Sequence, residues 1–444
     1  MGGCRGSLRL SLAWGVLRAI WRMRPAWLNT PGIAPLAVEA FALVVVGSAS
    51  ASIPCGYEVT GVIQAPPCGQ LGAPPTRALD VSEAGEVVGF FSLCHIGPSV
   101  PFVWTKEAGL VTLKLPPGSI EGIAAGIDNE TGWIVGSTDG PGTDGPFATV
   151  WEDGEPVILG TLPGGDFSDA FASSRGRVVG QWGNEVTGPL QAFLLEFGRM
   201  IDLGPDLGTR NGAARGVNVA GQVTGWMGHS FLIDSRAFIW QGGEVTVLDA
   251  IPGGFTSDAE AISDSGHVVG AGIWIDPDTD EEYTRAFHWA GGTMVNLGTL
   301  PGFLRSAALD VSNSGVVVGR LWGGIGETGF VWFDGAMVDL NTLVSLGNDV
   351  EIRNSLAISN TGQIVASGED AKGGVMGLLL TPIDPRTGDL TCDGSVSQDD
   401  FWLLLDAWGP CTPHEPCSAD LDGDGQVGIV DFLLLLANWT GQAG

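Results

Sequence analysis

One phrase recurs seven times along this 444-residue chain, and its spacing restricts the available folds more than any other feature. The phrase is a small residue, an Asp or Ser, a short apolar-polar pair, a turn with glycine, then a β-branched pair closed by glycine. It runs from Ala78 to Gly89, from Ala125 to Gly136 and from Ala170 to Gly180, and four further copies end at Gly225, Gly270, Gly319 and, with alanine replacing glycine, Ala366. Successive ends are 47, 44, 45, 45, 49 and 47 residues apart. A period of this length fits one four-stranded blade of a β-propeller.

Each unit supplies four strand candidates. In the fifth they are Ala259 to Ser263, His267 to Gly270, Arg285 to Trp289 and Met294 to Leu297. Asp264-Ser265-Gly266 separates the first two, because glycine accepts the positive φ of a tight turn and Asp bonds its own backbone. The seventh unit stops after its third strand, near Gly377 to Thr381, whereas Tyr57 to Ile63 has the fourth-strand pattern and precedes the first unit. The chain's start is therefore expected to close the ring against its end, which removes exposed sheet edges. The fold class that follows is all-β, a seven-bladed β-propeller of about 45-residue repeats over 52–382, with a small α-helical duplicated calcium-loop domain at the C-terminus.

The repeat resembles the bacterial extracellular HAF-repeat family over about residues 57 to 382. The triplets that carry the resemblance are Gln191-Ala-Phe193, Arg236-Ala-Phe238 and Arg285-Ala-Phe287, which depart from the family in their first residue. The resemblance implies an exported, repetitive protein and brings no chemistry with it.

Residues 383–388 read as a linker, and two acidic 12-residue loops follow within 389–441. Calcium takes six to eight oxygens, which such a loop supplies from positions 1, 3, 5, 7 and 12, with glycine at 6 for the turn. The second loop meets each requirement with Asp420, Asp422, Asp424, the Gln426 carbonyl and Asp431, Gly425 making the turn. The first offers Asp389, Thr391, Asp393, the Ser395 carbonyl and Asp400; Thr391 stands where an acid is wanted, so two Ca2+ sites are expected, the second tighter. Each loop enters an apolar helix candidate, Phe401 to Trp408 and Phe432 to Trp439, and the two halves are expected to bury these faces together. The loop-helix duplication resembles type I dockerins over roughly 388 to 441, which implies a cohesin-like partner. Its cysteines between the halves depart from the commonest pattern, and attachment to the cell envelope is the competing role.

The N-terminus reads as a signal peptide, residues 1–51: five arginines precede an apolar run from Ile33 to Gly47, then Ala49-Ser50-Ala51 fits a cleavage site. A start at Met23 and a retained anchor are the alternatives. Downstream no apolar stretch approaches the ~20 residues of a membrane span, so a soluble, secreted or cell-surface monomer is expected. Loss of the leader takes the formal net charge from −30 to −34, which excludes nucleic acid as a partner because phosphate binding needs Lys and Arg. Six cysteines remain in an oxidising compartment; closeness in sequence pairs Cys55 with Cys68 and Cys411 with Cys417, leaving Cys94 and Cys392.

No enzyme is expected. The five histidines, His95, His229, His267, His288 and His414, lack metal-ligand spacing, and no Gly-x-Ser-x-Gly elbow occurs. Asp80, Asp128, Asp264 and Asp310 read as turn-bonding residues at equivalent places in their units. Asp128 to Trp133 resembles the Asp-box of sialidase propellers, but that class uses a tyrosine nucleophile and an arginine cluster, and only Tyr57 and Tyr283 occur. Trp182, Trp226, Trp274 and Trp322 follow the second strands and are expected mostly to pack between blades; near a rim, such rings stack on sugars. A non-catalytic binding or structural role therefore leads, with a carbohydrate-active role, degrading or lectin-like, as the alternative.

Overall fold

The computed structural model describes residues 56–68, 73–95, 97–140, 145–184, 188–209, 211–228, 234–333, 335–344, 346, 350–383, 388–391, 395–411, 417, 419–422 and 425–440. The leader 1–51, Cys55, Cys392, Asp393, Asp424, His229 and His414 lie outside the described residues.

Seven four-stranded antiparallel sheets follow one another along the chain. Blades 1 to 6 span 76–112, 122–160, 167–202, 212–247, 258–298 and 305–339, each with its strands in sequence order from the innermost outwards. Blade 7 comprises Val350–Ile358, Ile364–Asp370 and Val375–Pro382, and its fourth strand is Tyr57–Ile63. The expected closure is thus present, with Tyr57 opposite Pro382 and Ile63 opposite Gly377. Thr60 Oγ1 lies 2.7 Å from Thr381 Oγ1 across the joint.

The recurring glycine has a steric cause. In every blade the inner strand carries a β-bulge just after the repeat's small residue, as between Ala214 and Gly216. The bulge drives a carbonyl of the inner strand beneath the glycine that ends the phrase. A Cβ on Gly89, Gly136, Gly180, Gly225, Gly270 or Gly319 would collide with the carbonyl oxygen of Arg77, Ile123, Asp169, Ala213, Asp258 or Ala307 respectively. In blade 7, where Ala366 replaces glycine, the inner strand has a second bulge between Ile352 and Asn354. On the far side of the glycine, five blades place a phenylalanine: Phe102, Phe193, Phe238, Phe287 and Phe330 are each opposite it in register and fully buried.

Three short α-helices are described besides the sheets: α1, Gly204–Leu207, between blades 3 and 4; α2, Gln398–Asp406; and α3, Ile429–Ala437. The last two flank a core of Val396, Leu404, Ala419, Val427 and Leu435, with Phe401 and Phe432 in ring contact at 5.6 Å. A two-residue ladder, Gly409–Pro410 with Gln426–Val427, ties the first half to the second. The two halves share this core, and part of each apolar face stays outside it. Leu403, Trp408, Ile429, Val430, Leu433, Leu436 and Trp439 remain exposed, because helices of nine residues turn only one narrow stripe toward so small a core.

The cysteine pairing differs from the sequence expectation. Cys68 bonds Cys94, whose Cα lies 5.3 Å away, so the pairing of Cys55 with Cys68 is overturned; Cys411 bonds Cys417 as expected. Nearness in sequence chose wrongly because the strands of blade 1 bring together residues 26 apart.

Gly225→Ala is expected to destabilise the propeller by at least ~2 kcal/mol, since the backbone must shift to admit the methyl group. Ala366→Gly, at the equivalent position of blade 7, should cost no more than ~1 kcal/mol. Denaturant titration of both variants checks the contrast.

Candidate functional site

The inner strands surround a cavity of 240 Å³ on the propeller side, into which the bulges turn Leu79, Ala125, Phe171, Arg215, Glu260, Leu309 and Leu356, one residue from each blade. Arg215 stacks on Phe171 with its Cζ 4.3 Å from the ring centroid and pairs with Glu260 at 3.8 Å. Two acids stand immediately beyond bulges. Asp80 accepts from Val81 and from Ile127 of blade 2, and Asp310 accepts from Val311 and from Ile358 of blade 7. Burial pushes the Asp80 carboxyl up to about 6 and that of Asp310 up to about 7, with Asp80 adding to the second shift.

The four aspartates expected at equivalent places in fact occupy three different ones. Asp80 and Asp310 lie on the inner strand. Asp128 caps its own turn through Glu130 and Thr131, and accepts from Gly176 of blade 3 at 2.8 Å. Asp264 sits one residue further on and accepts from Val219 of blade 4. That further position links the turns of neighbouring blades from blade 4 round through blade 7 to blade 2. Glu83 donates to Asn129, Asp264 to Asn313 and Asn313 to Asn360 through backbone N–H groups, and Asn360 and Thr361 donate to the Glu83 carboxylate across the closing joint. Counted back from the glycine that closes each phrase, Asp80 and Asp310 stand nine residues before it, Asp128 eight and Asp264 six, so the difference is present in the spacing.

Among the described residues two histidines face each other. His267 Nδ1 lies 2.8 Å from His288 Nε2, and His288 packs against Trp332 at 5.3 Å between ring centroids. Burial, with His267 beside it, lowers His288 to about 4. Tyr57 is buried in the core of blade 7. Tyr283 donates to Glu281, and its ring lies under Arg285 and Arg305 at 5.3 and 5.6 Å. The Glu281 carboxylate raises the Tyr283 phenol pKa, the direction opposite to nucleophile activation. The acidic insertion from Asp276 to Glu282 is an exposed hairpin tip, closed by Asp280 N–H on the Asp276 carbonyl. Trp182 and Trp226 are buried; Trp274 and Trp322 are half-buried beneath the guanidinium groups of Arg285 and Arg320, at 4.5 and 4.6 Å.

In the C-terminal segment the carboxylates of Asp420, Asp422 and Asp431 converge, each with an oxygen within 4.8 Å of the others. Asp431 and its counterpart Asp400 are buried and do the same work in their halves. Each accepts from the N–H preceding its helix, Gly428 or Ser397, and from the loop backbone, Leu421 and Asp422 or Thr391. In the first loop Thr391 Oγ1 also donates to Asp400 at 2.8 Å and to Asp389 at 3.4 Å, so a neutral hydroxyl bridges the two acids there. Asp389 is buried, Ser395 half-buried and Gln426 exposed on its loop. From Asp389 to Gly444 the chain has ten acidic residues and neither Lys nor Arg. No helix among the described residues is long and apolar enough to cross a membrane.

No family model and no curated protein matches the chain. Among solved structures it is similar to TolB from Acinetobacter baumannii, with 11% identity, a TM-score of 0.39, and coverage of 67% of this chain and 64% of that one. It is also similar to a gluconolactonase from Xanthomonas campestris, at 12% identity and a TM-score of 0.27 over 76% of this chain and 89% of that one. A Trypanosoma rangeli sialidase in complex with the inhibitor DANA matches at 10% identity and a TM-score of 0.36, over 83% of this chain and 64% of that one. The chain thus spans less than two thirds of the TolB and sialidase chains.

The folded propeller retains protons on Asp80 and Asp310 between about pH 4 and 7, where the unfolded chain has already released them. Their contribution to stability is therefore full below about pH 4 and is lost progressively as pH rises from about 4 to 7. The melting temperature, followed in chelator, should fall over that window, and the fall should be shallower in the Asp80→Asn, Asp310→Asn double variant.

Proposed function

We propose that this chain is an exported, non-catalytic binding protein of the HAF-repeat kind, in which the propeller is an interaction scaffold and a calcium-ordered, dockerin-like tail attaches it to a scaffold protein or the cell envelope. The observation that carries the proposal is the convergence of Asp420, Asp422 and Asp431 in a segment with ten acids and no cationic side chain. Clustered carboxylates repel unless a cation neutralises them, and hard oxygen donors suit calcium. Asp420, Asp422 and Asp431 would hold the ion of the second loop, and Asp389 and Asp400 that of the first. The Thr391 hydroxyl, already bonded to both acids of the first loop, favours the second as the tighter site. Calcium supplies charge neutralisation; the chain supplies two helices fixed at their N-termini by Asp400 and Asp431.

The exposed Leu403, Trp408, Leu433, Leu436 and Trp439 give the tail an apolar surface that suits a cohesin-like or envelope partner. The two disulfides accord with an oxidising compartment, and the pairing of the first strand with blade 7 within one chain supports a monomer. A carbohydrate-degrading role has weaker support, because Glu281 disfavours ionisation of Tyr283.

Calorimetric titration of the full chain with calcium should give two saturable sites. Asp420→Ala together with Asp422→Ala should remove the tighter one and abolish calcium-dependent capture from the producing cells' envelope fraction. Unchanged calcium affinity in this variant would overturn the assignment.

A further inference from the structure

The second acidic loop of the tail is fastened at two points by one disulfide, and among the described residues no disulfide borders the first loop. Cys411 bonds Cys417, six residues on, and both pack against the core of the tail. The Cys417 carbonyl accepts from the N–H of Asp420, the first residue of the loop, at 3.0 Å. The Cys411 N–H donates to the carbonyl of Gly425, the turn glycine of the loop, also at 3.0 Å. From there the two-residue ladder continues, with Pro410 opposite Gln426 and Gly409 opposite Val427. One covalent bond therefore ties the backbone at the start of the loop to the backbone at its turn.

The same bond reaches the carboxylate. Cys411 Sγ lies 3.6 Å from Asp420 Oδ2, the oxygen that also accepts from Gly425 N–H at 2.9 Å. A disulfide sulfur carries no proton, so this is a packing contact, and it limits where the Asp420 carboxylate can swing. Asp431, at the other end of the loop, is held independently by the N–H groups of Gly428, Leu421 and Asp422. Of the three acids that converge, Asp420 is the one seated against the disulfide. Packing alone gives this arrangement little support, because the core consists of Val396, Leu404, Ala419, Val427 and Leu435 between two helices of nine residues. Cores of that size rarely hold one conformation without a cross-link or a metal.

We infer that the Cys411–Cys417 disulfide positions the second calcium loop, so that the oxidation state of this pair sets the affinity of the loop for calcium. Binding is tighter when ligands are already in place, because less conformational freedom is lost as the contacts form. In the reduced chain the start of the loop and its turn are no longer tied, and the ion alone must gather Asp420, Asp422 and Asp431. Breaking the bond takes two electrons, which a dithiol supplies: the dithiol closes to its own disulfide and two thiols form on the chain. A disulfide oxidant outside the cell takes the two electrons back, so calcium-dependent attachment is switched on by export. The inference rests on the reading of the tail as calcium-ordered and adds what regulates it.

The test is calorimetric titration of the full chain with calcium. It compares the native protein with the Cys411→Ser, Cys417→Ser variant and, as a control bond, the Cys68→Ser, Cys94→Ser variant. The tighter site is identified by its loss in the Asp420→Ala, Asp422→Ala variant. Without the tail disulfide that site should weaken by about 10- to 100-fold, the range found when groups that orient metal ligands are removed, while the weaker site stays within about twofold. The control variant should bind calcium as the native chain does. Amide exchange in the absence of calcium should quicken at Asp420 and stay unchanged in the blades. Native chain reduced with dithiothreitol should match the serine variant, and reoxidation should restore tight binding. The inference is overturned if the tighter site is unchanged in the serine variant, or if both sites weaken equally, which would make the bond a staple of the whole tail. In either case the native chain still binds calcium and the reading of the tail stands; a native chain that takes up no calcium removes both.

Discussion

The pairing of Tyr57–Ile63 with Val375–Pro382 joins residues as far apart as Thr60 and Thr381, separated by 321 positions. Every other strand pair in the propeller is local, formed between neighbours in one blade. Closing so long a loop costs only slowly growing entropy, whereas an open array would leave two unprotected sheet edges. The Glu83 carboxylate adds a second fastening at the same joint, bonding the turn of blade 7 from that of blade 1. Blade identity therefore depends on local pairing, and the ring depends on two contacts that no single repeat contains.

Within each blade the controlling contact is the bulged inner strand against the glycine of the second strand. The bulge lifts a carbonyl into the space a Cβ would take and turns one side chain from each blade toward the cavity they surround. A steric requirement repeated around the ring thus leaves the inward-turned residues free to differ, from Leu79 to Arg215 and Glu260. Buried serines reinforce the order between blades: Ser168, Ser257 and Ser306 each accept from the third strand of the preceding blade and donate to its outer segment.

Much of this was legible in the amino-acid sequence. The repeat period, the four strands of the fifth unit and the closing role of Tyr57 to Ile63 followed from alternation and turn chemistry, which are local. The serine clamps lie just outside the repeated phrase, where a hydroxyl two residues before its small residue is their visible signal. The first residue of the Gln191, Arg236 and Arg285 triplets registered only as a departure from a pattern. In two of the three, Arg236 and Arg285, that residue clamps the next blade through the carbonyls of Phe255 and Leu304, each 19 residues away, whose approach is set by blade twist rather than by spacing.

The sequence alone determined the number of blades, the glycine at the end of each phrase and the acidic loops of the tail. These reside in periodicity and in residue types with few conformational or chemical alternatives. Tertiary structure alone decided that Cys68 meets Cys94 and that Asp80, Asp128 and Asp264 do different work. Each depends on the distance between segments on different strands or blades, a quantity that packing sets and that one-dimensional spacing does not contain.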